Sequence, residues 1–101
     1  MQDKTLNNVR QWEREPANIP ISLVLSPENF KSDPTATMID ISLAGVGVRT
    51  QLFLVPGEWV GIVPKNQFPQ AIPARVAWAR EDEENNVTVA GLTFIKNPNE
   101  A

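Results

Sequence analysis

Nine prolines are spread along this 101-residue chain, and they restrict its fold more than any other feature. Proline removes a backbone donor and clashes with the preceding helical turn, so helix interiors exclude it. The prolines leave little room for a long helix, and the segments between them alternate between apolar and polar residues. They are Pro16, Pro20, Pro27, Pro34, Pro56, Pro64, Pro69, Pro73 and Pro98. This spacing predicts a chain built from short strands.

Six segments carry the apolar–polar alternation of half-buried strands. In chain order they read NIPISLVL, TMIDISL, GVGVRTQ, EWVGIVPK, IPARVAWAR and VTVAGLTFI. The residues predicted to face the core in the first and fifth are Ile19, Ile21, Leu23, Leu25, Ile72, Ala74, Val76 and Trp78. Turn signals separate the segments, including Pro56-Gly57, which suits a type II turn, and the charged run EDEENN. The pattern predicts an all-β, antiparallel barrel or sandwich.

Composition excludes several classes of function. The chain has no cysteine and no histidine, which excludes disulfides, thiolate nucleophiles, the usual zinc sites and histidine acid–base catalysis. A net charge of −3 argues against general nucleic-acid binding, which needs many cationic contacts with phosphates. A small phosphate-bearing ligand held by a local pair of cations stays compatible with this charge. The polar start of the chain does not resemble a secretory signal, and no apolar run is long enough for a membrane helix.

The stretch MIDISLAGVGVRT changes its pattern midway. Its apolar residues fall into two sets of opposite parity, Ile39, Ile41 and Leu43, then Val46 and Val48. If the first set faces the core, Asp40 and Ser42 face outwards together, with Cα atoms roughly 6.5–7 Å apart. The chain must then turn or bulge at Ala44-Gly45, where glycine can take a positive φ and lets a ligand approach the backbone. An ordinary hairpin with a polar outer face also explains this pattern.

The N-terminal segment contains a pair of arginines, Arg10 and Arg14, four positions apart. A guanidinium group can hold a phosphate through two hydrogen bonds and can also stack on a base. The alternative is a solvated arm in which the arginines pair with Glu13 or Glu15, as surface charges commonly do. Trp12 lies between the arginines and is predicted either to pin the arm to the barrel or to stack on a ligand.

Together the two segments resemble the signature of the PilZ domain family. That signature is Arg-x-x-x-Arg in an N-terminal arm, followed by Asp/Asn-x-Ser-x-x-Gly on a barrel strand. Here the motifs read RQWER, residues 10–14, and DISLAG, residues 40–45, and the segments ARVAWAR and VAGLTF resemble the family's last two strands. The resemblance covers nearly the whole chain. It implies a six-stranded antiparallel β-barrel over residues 16–101 and a flexible N-terminal arm over residues 1–15.

The resemblance also implies a function, namely a non-catalytic receptor module for the bacterial second messenger cyclic dimeric GMP (cyclic di-GMP), with no cofactor and no metal. The implied ligand-binding residues are Arg10, Arg14, Asp40, Ser42 and Gly45. The arginines suit phosphate and the O6/N7 edge of guanine, and Asp40 can accept from guanine N1–H and N2–H₂. Ser42 can donate to the ligand, and Gly45 would keep the wall flat. The arm would close over the nucleotide and signal to a partner protein or a linked domain, such as a cellulose synthase.

Three questions stay open from the sequence. The barrel could instead be a degenerate adaptor that binds protein and no nucleotide, and a small carboxylate enzyme is a weaker alternative because no partner group is evident for Asp40. Many family members have an arginine directly before the first motif, whereas this chain has Val9, which favours one nucleotide per chain over a stacked pair. The chain could be a complete protein or an excised module. A cytoplasmic location is expected, including the inner face of the membrane where a partner holds it.

Overall fold

The computed structural model describes residues 14–25, 31–65 and 71–96, and every regular element within them is a strand. The six strands are β1 (Glu15–Val24), β2 (Ser32–Ile41), β3 (Gly45–Thr50), β4 (Trp59–Pro64), β5 (Ile72–Asp82) and β6 (Val87–Phe94). Each overlaps a segment in which the sequence predicts a strand. β1 begins three residues earlier than predicted, within the segment expected to be the arm.

The strands close into a barrel in the order β1-β2-β3-β6-β5-β4, and β1 pairs with β4 to complete the ring. Every neighbouring pair is antiparallel. Closure gives each of the six strands a paired neighbour on both sides over part of its length, which is how small barrels limit edge-to-edge association. The prediction of a six-stranded antiparallel barrel is confirmed.

The barrel interior is filled by the side chains of alternate residues. The residues that lie fully inside include Ile21, Leu23, Val46, Val48, Val60, Ile62, Ala74, Val76, Ala90 and Leu92. Five of the eight residues predicted to face the core in β1 and β5 are buried. The other three predictions are wrong, since Ile19, Ile72 and Trp78 are 47%, 38% and 43% exposed.

Irregular register changes which residues of β2 and β5 face the core. In β2 the register shifts between Met38 and Asp40, so that Met38 pairs with Val48 and Asp40 with Gly47. The extra residue reverses the parity of the strand at that point. Met38 is therefore buried. Ile41 and Leu43, predicted to be core residues, are 40% and 76% exposed because Ile41 is the last residue of β2 and Leu43 lies in the turn beyond it, at the end of the barrel. Asp40 still faces outwards, as predicted.

Two turns match their sequence signals. In the first, the Glu58 N–H donates to the Val55 carbonyl at 3.0 Å, and Gly57 between them has a φ of 91°. These are the features of a type II turn with glycine at its third position. In the second, which joins β5 to β6, the carboxylate of Asp82 accepts from the backbone and side chain of Asn85.

Asp33 is a buried carboxylate, 5% exposed, at the start of β2. It accepts hydrogen bonds from the Thr50 hydroxyl at 2.7 Å and the Gln51 N–H at 2.8 Å, and Thr35 donates to it through both its hydroxyl and its N–H. Desolvation by itself would raise the pKa of Asp33, but these four donors outweigh it and lower the pKa to about 2. The carboxylate thereby joins the beginning of β2 to the end of β3.

Candidate functional site

Arg14 and Asp40, one residue from each sequence motif, are in direct contact. Arg14 Nη1 donates to Asp40 Oδ1 at 2.6 Å, although the two residues are 26 positions apart. The pairing of β1 with β2 causes this, because Pro16 lies opposite Asp40 and Arg14 immediately precedes the strand. The two side chains are 41% and 29% exposed, so a ligand can reach both. Glu15, the alternative partner for Arg14, makes no ion pair with it.

The bulge in β2 decides where the Asp40 carboxylate lies. Ile39 and Asp40 together stand opposite the single residue Gly47, and the Asp40 side chain folds over that glycine. Gly47 faces outwards, since Val46 and Val48 on either side of it lie in the core. A Cβ at Gly47 would stand 2.7 Å from Asp40 Oδ1. The absence of a side chain there is what allows the carboxylate to lie against the sheet.

Ser42 lies just beyond β2, in the tight connection to β3. Its N–H donates to the Gly45 carbonyl at 2.8 Å, which closes a loop around Leu43 and Ala44. Its hydroxyl donates to the same carbonyl and accepts from the Ala44 N–H, both at 3.3 Å. The Ser42 hydroxyl therefore supports the turn at the end of the barrel, a short distance along the chain from Asp40.

Gly45 is buried at the start of β3, against the backbone of β6, and its predicted role in ligand binding stays a prediction. A Cβ there would stand 1.9 Å from the Leu92 carbonyl oxygen on β6. Gly45 does not adopt the positive φ that glycine allows, because Gly57 is the one glycine with positive φ in the part of the chain that the structure describes. Glycine is needed at position 45 because the backbone of β6 approaches so closely.

The family model of the PilZ domain matches residues 8–101. The matched range contains both motifs and the whole barrel. The chain belongs to the PilZ domain family. PilZ domains as a family are ligand-binding receptor domains for cyclic di-GMP, and no cofactor is known for the family. A search of curated proteins finds no match.

Part of the PilZ signature lies outside the described residues. Arg10 and Trp12 belong to this part, so their predicted roles stay predictions. Of the predicted ligand-binding residues, the structure places Arg14 and Asp40 together. Ser42 lies two positions after Asp40, in the turn that follows β2, and Gly45 pairs with Thr93 of β6.

The sequence analysis missed a feature on the outer face of this PilZ barrel. Trp78, predicted to face inwards, lies outside against Gly91, where a Cβ would stand 2.3 Å from the indole Nε1. A second bulge, between Val76 and Trp78, reverses the parity of β5 and turns the indole outwards. An isolated glycine within a strand often marks a close approach, and Gly47 and Gly91 carried that signal in GVGV and VAGL.

Within residues 14–25, 31–65 and 71–96, no three Asp, Glu, His or Cys side chains come together in a way that would hold a metal ion.

The described part of the chain has no helix that is long and apolar enough to cross a membrane.

Proposed function

We propose that this PilZ domain is a receptor module that binds cyclic di-GMP at the Arg14–Asp40 contact. The supporting observation is that contact itself, which joins the arginine of the first motif to the aspartate of the second at 2.6 Å. It brings a fixed donor and a fixed acceptor to one accessible point on the barrel wall. Guanine carries the complementary groups on its two edges.

The Arg14–Asp40 pair is suited to exchange its partners for a ligand. Ion pairs between exposed side chains contribute about 0–1 kcal/mol, so separating them costs little. The guanine N1–H and N2–H₂ groups can donate to Asp40, while Arg14 turns to a phosphate or to the O6/N7 edge. Each charged group then keeps a charged or strongly polar partner.

The N-terminal arm supplies the signalling step of the proposal. Arg10 lies four positions before Arg14 in the sequence, so an arm that closes over the nucleotide would add a second guanidinium from above. Closure changes the surface that the barrel presents, and a partner protein or a linked domain in the cytoplasm would read that change. Ordering of a segment on binding is a common device in regulatory interactions.

Calorimetric titration with cyclic di-GMP tests the proposal. We expect saturable binding by the whole chain, and a large loss of affinity in Arg14→Ala and in Asp40→Ala with unchanged thermal melts. Lys31→Ala and Glu83→Ala are matched controls, because they remove the same charges from exposed positions elsewhere on the barrel. Affinity should fall with added salt, since cations contact the ligand phosphates.

Ligand specificity separates this site from a general anion site. GMP and the linear dinucleotide should bind much more weakly than the cyclic ligand, because neither presents two guanines in the closed geometry. Equal affinity for GMP would contradict the proposed site. No binding of any of the three nucleotides would instead support the protein adaptor.

A further inference from the structure

The second half of β5 has a strand partner on only one side. β4 pairs with β5 from Ile72 to Arg75, and Val76 then bonds through its N–H and its carbonyl to the residues just before β4. β6 continues to pair with β5 as far as Asp82. Over residues 78–82, no strand of the described part of the chain lies on the side from which β4 has ended. This side of residues 78–82 is a free strand edge, which we call the β5 edge.

A second free edge, on β1, shows how this chain protects such a surface. β4 pairs with β1 only from Ile21 to Val24, so residues 15–20 have no described strand on that side. Pro16 and Pro20 lie within this part of β1, and proline hinders the addition of a further strand because it has no N–H. The β5 edge contains no proline. One free edge is therefore protected against strand pairing, and the other is able to pair.

Strand pairing shows which backbone groups the β5 edge presents. Val76 directs its N–H and its carbonyl to the side of β4, and the bulge that follows shifts the alternation by one residue. Ala79 and Glu81 therefore direct their N–H and carbonyl groups away from β6. Arg80, which lies between them, directs its groups towards Val89 of β6. Two donors and two acceptors are left for an added strand.

The side chains of the β5 edge alternate between two faces. Trp78 and Arg80 lie on the outer face of the barrel, and Trp78 is 43% exposed. Arg80 is exposed and makes no salt bridge within the described part of the chain. On the inner face, Ala79 packs against the core, and Glu81 accepts from the Thr88 hydroxyl at 3.4 Å. An added strand that complements these charges has an acidic side chain opposite Arg80 and a basic one opposite Glu81.

A second copy of this chain does not meet that requirement. Antiparallel pairing of Ala79 with Glu81 of a second copy places the two Arg80 side chains opposite each other, and like charges in that arrangement are destabilising. The register centred on Glu81 places two carboxylates opposite each other. The register centred on Ala79 places Asp82 opposite Val76, whose backbone groups are already bonded to the residues before β4.

We propose that the β5 edge binds an extended segment of a partner protein by strand addition, a common mode of peptide recognition. In antiparallel pairing the segment reads basic, acidic, small apolar and apolar from its N-terminus, and these residues lie opposite Glu81, Arg80, Ala79 and Trp78 in turn. Backbone hydrogen bonds to Ala79 and Glu81 hold the segment, and its acidic residue pairs with Arg80. Its last apolar residue covers the exposed part of the indole. This surface does not depend on the proposed nucleotide site.

Hydrogen exchange of the free protein tests the premise. We expect the amides of Ala79 and Glu81 to exchange quickly and that of Arg80 slowly, because among these three only Arg80 donates to β6. Equal protection of all three amides would show that the edge is already covered, and it would overturn the inference.

Nuclear magnetic resonance titration of the whole chain with a capped hexapeptide, Thr-Lys-Glu-Val-Ile-Thr, tests binding. We expect saturable shifts of the Ala79 and Glu81 amides. Ala79→Pro removes an edge donor and keeps the pairing with β6, so the dissociation constant should rise about tenfold. Ala79→Val keeps the donor and is the matched control. Thermal melts establish whether each variant is folded.

A charge exchange tests the side-chain complementarity and decides the question if Ala79→Pro does not fold. Arg80→Glu should weaken binding of the first peptide and strengthen binding of Thr-Lys-Lys-Val-Ile-Thr, in which lysine replaces the glutamate. Arg49→Glu is the matched control, because Arg49 is an exposed arginine that pairs with Val89 from the other side of β6.

The inference is overturned if the first peptide shifts neither edge amide, or if Arg80→Glu binds the two peptides as the unmodified chain does. It is also overturned if the chain forms a dimer that Ala79→Pro abolishes, because a second copy would then occupy the edge. Sedimentation velocity at several protein concentrations measures this. No nucleotide is present in these experiments, so their failure leaves the proposed function standing, and failure of cyclic di-GMP binding leaves the β5 edge standing.

Discussion

Gly45 and Gly47 stand two positions apart on β3, yet their missing side chains accommodate different neighbours. At Gly45 the neighbour is the backbone carbonyl of Leu92, which cannot move without disturbing β6. At Gly47 the neighbour is the end of the Asp40 side chain, which can rotate away. The same substitution should therefore affect the fold at one position and the site at the other.

Alanine at these two positions gives the first prediction. Gly45→Ala should lower the free energy of unfolding by roughly 3 kcal/mol or more, because its Cβ overlaps a carbonyl oxygen. Gly47→Ala should cost less stability, but it should displace the Asp40 carboxylate from Arg14 and weaken cyclic di-GMP binding. Urea titration and calorimetry measure the two effects. Equal losses of stability with unchanged affinity for Gly47→Ala would show that Gly47 does not position Asp40.

At the scale of elements, Asp33 connects the start of β2 to the end of β3, which is the end of this strand pair that has no connecting turn. The Asp33 carboxylate accepts hydrogen bonds from the Thr50 hydroxyl and the Gln51 N–H, where β3 ends. The opposite end of the same two strands holds Asp40 and Gly47. This connection fixes the β2–β3 pair from which the site is built.

The pH dependence of stability gives the second prediction. The pKa of Asp33 is lowered from 3.8 to about 2 on folding, so its contribution is complete above the unfolded value and is lost as the pH falls through about 2. The contribution is about 2 kcal/mol, and it should disappear gradually below about pH 4. Urea titrations across this range measure it.

Asp33→Asn is the test variant for this effect. It should be less stable at neutral pH, since the amide NH₂ cannot accept the donors that the carboxylate satisfies, and its acid dependence should be flatter. Glu83→Gln, at an exposed turn position, is the control and should behave as the unmodified chain. An unchanged acid dependence in Asp33→Asn would assign the effect to other carboxylates.

At the scale of the whole molecule, the proposed closure joins the arm to two parts of the barrel. Hydrogen exchange should show that cyclic di-GMP protects amides from Arg10 to Arg14 and from Ser42 to Gly45 together, because one ligand contacts both motifs. Protection at the barrel without any in the arm would show that the arginines do not clamp the ligand.

Stoichiometry gives the last prediction. Val9 cannot stack on or donate to a second nucleotide, so we expect one cyclic di-GMP per chain. Calorimetry gives this ratio directly, and Val9→Arg should raise it to two if the missing guanidinium is the cause. Two ligands per unmodified chain would contradict the Val9 argument and leave the Arg14–Asp40 site intact.

Much of this architecture can be predicted from short stretches of the sequence. The prolines exclude long helices, and the alternation marks all six strands because each strand needs one apolar face for the core. Pro56-Gly57 specifies its own turn through the backbone preferences of two residues. The spacing of the two motifs, read as a family resemblance, gave the PilZ assignment that the family match bears out.

Only the tertiary structure decided which side of the barrel each residue faces near the site. A bulge depends on the pairing of two strands, so neither Met38 nor Trp78 could be placed correctly from the parity of one strand alone. The contact of Arg14 with Asp40 likewise required the register of β1 against β2. The glycines show the same limit of sequence-based prediction. The sequence shows that a Cβ is missing, but the atoms that leave no room for a Cβ belong to a different strand. The sequence thus determined the strands and the chemistry of the motifs, and strand pairing determined their geometry.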